Sequence, residues 1–325
     1  MITMKNFARV SAAAFTLCVL MLSAPAQAQS WPTRTVKFIV PLGPGSGVDI
    51  GSRLFADRLA KKWGQPVVVE NQPGGDGIVA ISAFFAANDN HVLLMSPAST
   101  FTAHPFQLDK LPYNPKDLMP VARVSNTVVA YSVPASANIN TVAELFARAK
   151  AEPGIINWAS ATGMLDFVLS GYLKGAGIEF TRVPYRNPVQ AATDLGENRI
   201  QFMIGAMAIV RPQVQAGKVK MIAVTNKVRA PVAPNLPTTT EAGYPQLATD
   251  GLVGLFATKE TPIDVRNRIA ADIREVAADP VIGERLAATG QVLNPGTPAE
   301  FGAAIEEQHA QAAAVAKILG IKAAQ

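Results

Sequence analysis

Between residues 41 and 49 the chain reads Pro41-Leu42-Gly43-Pro44-Gly45-Ser46-Gly47-Val48-Asp49, which puts three glycines, a hydroxyl and a carboxylate into one short segment. Glycines let a backbone approach a ligand closely, and a helix starting just after them turns its free N–H groups toward an anion. Nucleotide chemistry does not fit. The spacing G-x-G-x-x-G breaks at Val48 or Ile50, and no Lys-Ser/Thr pair follows as a phosphate loop requires. Ser46 is outside any G-x-S-x-G elbow, which removes the usual serine nucleophile. Two readings of the segment stay open, an anion-binding loop and a tight turn with no ligand. Asp49 is equally open: it can orient the loop, hold an ammonium group, or stabilise the start of the next helix through the macrodipole.

Other chemical equipment is sparse. Cys18 is the single cysteine, and His91, His104 and His309 lie far apart with no ligand spacing. Each histidine reads as a surface or packing residue, and neither a metal nor a cofactor is expected. The net charge of +5 is modest and spread along the chain. A nucleic-acid binder would gather it into a basic stripe, so no nucleic-acid partner is expected. A secreted enzyme would have few parts to work with.

These groups need elements to position them. Residues 36–40 form a β-branched and aromatic run ended by Pro41, and Ile50, Leu54, Phe55 and Leu59 then follow helical spacing up to Trp63. A second strand is expected at 67–70, a turn-rich loop at 71–77, a helix at 78–87 and a third strand at 91–95. Ser96, Ser99 and Thr100 follow that strand, where hydroxyls either meet a ligand or satisfy turn backbone. Further on, Thr141-Val142-Ala143-Glu144 has the form of a capping box. Strands are expected at 155–159, 180–183, 200–204, 220–224 and 252–257, with helices from Pro262 to about 279 and from Pro298 to about 319. Alternation of this kind predicts two α/β units with parallel sheets, and a ligand crevice at the C-terminal strand ends.

The first residues carry a different signal. Lys5 and Arg9 precede an apolar stretch at 12–22, and Ala26-Gln27-Ala28 supplies the small residues of a cleavage site. About 11 to 13 apolar residues fall short of the roughly 20 needed to cross a bilayer, so residues 1–28 are expected to be a cleaved export signal. Leu17 is too large to precede a lipidated cysteine. Removing 28 of 325 residues leaves 297, enough for two domains, and takes away Cys18, Lys5 and Arg9, so that the charge falls to +3.

Several local patterns occur together and in order: Trp31-Pro32, the P-G-x-x-x-D-x-x-x-R pattern ending at Arg53, Val69-Glu70-Asn71-Gln72-Pro73-Gly74-Gly75, Leu111-Pro112-Tyr113-Asn114-Pro115, Val183-Pro184-Tyr185-Arg186, and Glu241-Ala242-Gly243-Tyr244-Pro245. In these the sequence resembles the periplasmic receptors of tripartite tricarboxylate transporters, the Bug-type solute-binding proteins, over nearly all of the chain after residue 28. The resemblance implies an α/β, two-lobed periplasmic-binding-protein-like fold (Venus flytrap, type II), each lobe a mostly parallel sheet flanked by helices. It places lobe 1 at 29–130 and 252–325, lobe 2 at 131–251, and the hinge near 129–133 and 249–252. It further implies no catalysis and no cofactor. The expected protein is a periplasmic monomer that closes on a small carboxylate-containing acid and hands it to membrane permease subunits. Gly45, Ser46, Gly47 and Asp49 would serve from the first loop, with Ser96, Ser99 and Thr100 nearby.

Lobe 2 departs from the family pattern. Its loop Ser160-Ala161-Thr162-Gly163 is shorter and has one glycine, with Asp166 near a position where relatives carry His. Ser160, Thr162 and Gly163 remain candidate contacts. The usual tyrosine, basic residue and glycine pair becomes Tyr185-Arg186-Asn187-Pro188, so Asn187 would offer an amide in place of a backbone contact. Arg186 fits a bidentate carboxylate grip or a solvated rim position equally well. Gly205 stands where relatives commonly have Asp, and losing an acid there would suit a more anionic or bulkier ligand. A periplasmic sensor subunit for a membrane kinase is the alternative to a transport receptor, and a secreted α/β enzyme is the third reading.

Overall fold

The computed structural model describes residues 31–160, 163–185 and 187–324. The expected export signal, with Cys18, lies outside the described residues. The described residues from 34 onward form one compact unit; of the preceding unit, residues 31–33 are described and include a cis Trp31–Pro32 bond.

The compact unit opens with β1 (Val36–Val40), α1 (Gly47–Trp63), β2 (Val67–Asn71), α2 (Ile78–Ala87) and β3 (Val92–Pro97), followed by two single-turn helices, α3 (Ser99–Thr102) and α4 (His104–Gln107). β1 lies between β2 and β3 and runs parallel to both. β4 (Leu118–Thr127) and β5 (Val129–Pro134) come next. They are followed by α5 (Val142–Ala151), β6 (Asn157–Ser160), α6 (Gly163–Ala176), β7 (Thr181–Arg182), α7 (Pro188–Gly196), β8 (Phe202–Ala206), α8 (Met207–Gln215) and β9 (Val219–Val224). The chain closes with β10 (Gly251–Thr258), α9 (Ile263–Ala277), α10 (Pro280–Ala288), β11 (Gln291–Gly296) and α11 (Pro298–Leu319).

Two sheets result, one ordered β11-β4-β10-β3-β1-β2 and the other β7-β6-β8-β5-β9. Parallel pairing is confined to β2-β1-β3 and β7-β6-β8, where a helix separates successive strands. β10 and β4 in the first sheet, and β5 in the second, pair antiparallel with their neighbours, so both sheets are mixed. β4 leaves one sheet and β5 enters the other with only Val128 between them. The change of sheet therefore falls at Val128, two residues before the expected boundary at 130. The return begins at Gly251, the first residue of β10, one residue ahead of the expected 252.

The last helix touches both cores. Phe301 near the start of α11 packs in the core of the first sheet, with its ring 5.0 Å from Phe256. Ala312, Val315 and Ala316 belong to the core under the second sheet. A 22-residue helix is about 33 Å long at 1.5 Å per residue, long enough to span both. Thr297 secures its start with a full capping box to Glu300. From the other side, Ala103 and Phe106 reach into the same second core, where Phe106 stacks on Phe167 at 5.9 Å. The segment 99–107 thus joins the two sheets and borders the space between them.

Candidate functional site

The loop after β1 is built around a buried carboxylate. Asp49, 3% exposed, accepts from the Gly45 N–H at 2.9 Å, from Arg53 at 2.9 Å and from the Asn71 amide at 2.9 Å. The Asn71 amide also donates to the Leu42 carbonyl at 2.9 Å, and Arg53 donates to Asn71 Oδ1 at 2.8 Å. Burial opposes ionisation of Asp49, but the Gly45, Arg53 and Asn71 donors outweigh it and hold the carboxyl below its ordinary value. Ser46 caps α1 by accepting from the Asp49 N–H at 3.2 Å. Gly47 lies against Gln291, whose Nε2 would stand 2.7 Å from an added Cβ. Gly45, Ser46, Gly47 and Asp49 are thus tied together within the loop and against Gln291. The D-x-x-x-R spacing and the Asn that ends β2 together form the clamp.

What the clamp holds is the segment Pro41-Leu42-Gly43, one wall of a cavity of about 400 Å³. The cavity opens at the C-terminal ends of parallel strands β1, β2 and β3. Pro73 to Gly77 after β2 and Pro97, Ser99 and Thr100 after β3 form two further walls, and Gly163 at the start of α6 faces them from the other sheet. His104 and Gln107 complete the lining; an added Cβ on Gly163 would stand 2.6 Å from Gln107 Oε1. Gly74, Gly75 and Gly77 all have positive φ, and Asp76 between them is left-handed at φ 50°, ψ 34°. This run turns the chain directly into α2, whose cap residue Gly77 offers no side chain to its first N–H groups. The start of a helix thereby follows directly on the residues that line the cavity.

His104 braces the turn. It is 1% exposed, with Nδ1 2.7 Å from the Tyr113 hydroxyl and Nε2 3.1 Å from the Asp76 carbonyl. A carbonyl only accepts, so Nε2 carries the proton and Nδ1 takes the hydrogen of Tyr113. Burial lowers the His104 pKa against the pull of the Asp76 carbonyl and charge, and burial also raises that of Tyr113, so both stay neutral in this chain of bonds. Tyr113→Phe removes one donor to a buried acceptor. We expect a loss of about 1–2 kcal/mol in urea unfolding with the far-UV spectrum unchanged.

Of the expected site residues, Ser99, Thr100 and Gly163 line the cavity. Ser96 is buried within β3 and donates to the Pro97 carbonyl at 3.0 Å. Ser160 ends β6, and Gly205 lies within β8 opposite Ala130. Tyr185 donates to Asp194 at 2.8 Å, and burial with that carboxylate raises its pKa to about 12. Asn187 caps α7 by accepting from the Val189 N–H at 2.9 Å. Thr162 and Arg186 fall outside the described residues. The turn at 73–77 and His104 were missed as site residues, although Gly74-Gly75-Asp76-Gly77 repeats the signature of the first loop: glycines around an acid, between a strand and a helix.

Comparison with known proteins agrees with this architecture. Residues 52–321 match the tripartite tricarboxylate transporter family receptor. A UPF0065 protein of Bordetella bronchiseptica is 31% identical over 296 residues, covering 90% of this chain and 88% of that one. A solved structure described as a periplasmic transporter is 30% identical, with a TM-score of 0.78 over 90% of this chain and 99% of its own. MatC from Rhodopseudomonas palustris, solved with bound malate, is 25% identical with a TM-score of 0.75, covering 88% and 99%. With this sequence match over most of its length and this fold, the chain belongs to the tripartite tricarboxylate transporter receptor family, as a periplasmic-type solute-binding receptor and not an enzyme.

Proposed function

We propose that the cavity at 41–43, 73–77, 97–100 and 163 captures a small carboxylate-containing organic acid outside the cytoplasmic membrane and delivers it to permease subunits of a tripartite tricarboxylate-type transporter. The observation that carries this reading is the convergence of three strand ends and a helix start on one cavity of about 400 Å³, the size of a small metabolite's site. Malate in a relative of the same fold supports a carboxylate as the ligand. Glycine backbone, the hydroxyls of Ser99 and Thr100, and the first turn of α2 meet the carboxylate. Ligand shifts the two sheets toward closure about Val128 and residues 225–250 by its differential affinity for the closed state. The export signal at 1–28 and a monomeric receptor are part of the same proposal.

A thermal-shift screen over organic acids tests it. An acid present at 100 times its Kd should stabilise the protein by about 2.7 kcal/mol and raise Tm by several degrees. Failure of mono-, di- and tricarboxylates alike would overturn the reading, as would conversion of a bound acid to product. Delivery is checked by reconstituting uptake with the membrane subunits, which should depend on this protein.

A further inference from the structure

We propose, building on the reading above, that Asp76 sets specificity. Its carboxylate disfavours a second carboxylate on the ligand and favours an ammonium or amide group, so that the bound acid is a monocarboxylate with an N–H donor. Asp76 lines the cavity and is exposed there. Its left-handed backbone belongs to a conformation that glycine adopts freely and that Asp and Asn tolerate. The His104 bond to its carbonyl fixes the residue in place. Among the described residues, no hydrogen bond or ion pair engages its side chain, and no Lys or Arg lines the cavity. The nearest ring, His104, has both nitrogens committed and is kept neutral by burial.

Asp76 places a fixed, unpaired acid on the cavity lining, so a second ligand carboxylate that reaches it is opposed. Two like charges about 5 Å apart in a partly desolvated cavity repel strongly enough to cost tenfold or more in affinity, and an ammonium at the same place gains by the same argument. Gly205 removes an acid from a strand position outside the cavity lining, whereas Asp76 is an acid on the lining itself. The electrostatic preference this supports is opposite to the one read from Gly205 in the sequence.

Calorimetric titration with matched series of four to six carbons tests the proposal: succinate, glutarate and adipate, their monoamides, and the ω-amino acids of equal length. In the wild type, the best amino or amide member should bind at least tenfold tighter than its dicarboxylate. Asp76→Asn keeps a residue that tolerates the left-handed turn and should cut that ratio below about threefold, with the dicarboxylate gaining. Asp76→Gly should do the same. A wild type that binds the dicarboxylate equally or better overturns the proposal. So does an unchanged ratio in Asp76→Asn with only a lower Tm, which would make Asp76 a partner of the α2 dipole alone. Binding of no member overturns the small-acid reading itself.

Discussion

Gly77→Ala should destabilise the protein by about 2–6 kcal/mol and lower affinity for its acid by roughly a hundredfold or more. Two costs combine. Gly77 sits at φ +93°, where a side chain costs about 1–3 kcal/mol in backbone strain. The added Cβ also falls on the Thr100 methyl and within 3.4 Å of Pro41 Cβ, and overpacking of that kind costs a further 1–3 kcal/mol or so. Thr100, Pro41 and Gly77 are all cavity walls, so relief of the clash must move the site. Gly302→Ala in α11 is the control, because Gly302 lies outside the cavity lining, an added Cβ meets only Pro120 Cγ at 3.9 Å, and its φ is ordinary. Urea unfolding and calorimetry on both variants decide the matter. Equal behaviour of the two would show that the turn at 77 tolerates a side chain.

The scaffold was more legible in the sequence than the site. The strands at 36–40, 67–71 and 219–224 stand out because apolar β-branched residues there are bounded by Gly, Pro or polar turns. β4 has no such mark. Its run Leu-Met-Pro-Val-Ala-Arg-Val-Ser-Asn-Thr contains a proline and alternates poorly, yet it lies between β10 and β11. Pro120 is accommodated opposite Phe256, where the register with β10 shifts. α10 has no counterpart among the expected helices, although Asp279-Pro280 gives it a cap and a proline first turn.

At the site, one chemistry serves two purposes. A glycine loop with Ser and Asp reads the same whether its polar groups face a ligand or one another, and at 45–49 the Gly45 and Asp49 N–H groups donate to the Asp49 and Ser46 side chains. The wall residues come from four separated segments, 41–43, 73–77, 97–107 and 163, and only the parallel pairing of β1 with β2 and β3 brings the first three together. His104 shows no spacing signal at all, because its partners are Tyr113 and a backbone carbonyl at residue 76. The path of α11 across both cores bears on motion as well. Closure must either carry the Ala312 to Ala316 end with the second sheet or flex the helix between Ile305 and Ala312.

Asp49→Ala should cost about 2–4 kcal/mol and weaken ligand binding although Asp49 is not part of the cavity wall. The substitution strands the Gly45 N–H and the Asn71 amide, and it leaves Arg53 without its carboxylate. Hydrogen bonds to a buried charge are worth more than neutral ones, at about 1.5–3 kcal/mol each, while the half-exposed Arg53 adds little. Because Asn71 also holds the Leu42 carbonyl, loss of the hub frees the wall at 41–43. The pH dependence has a definite sign. The folded carboxyl titrates below its unfolded value, so its stabilisation is fully present above the unfolded value and is lost as pH falls through the folded one. Between about pH 5 and pH 3 the wild type should lose stability faster than Asp49→Asn, which has no charge to lose. Parallel slopes for the two proteins would mean that the clamp is not held by the ionised form.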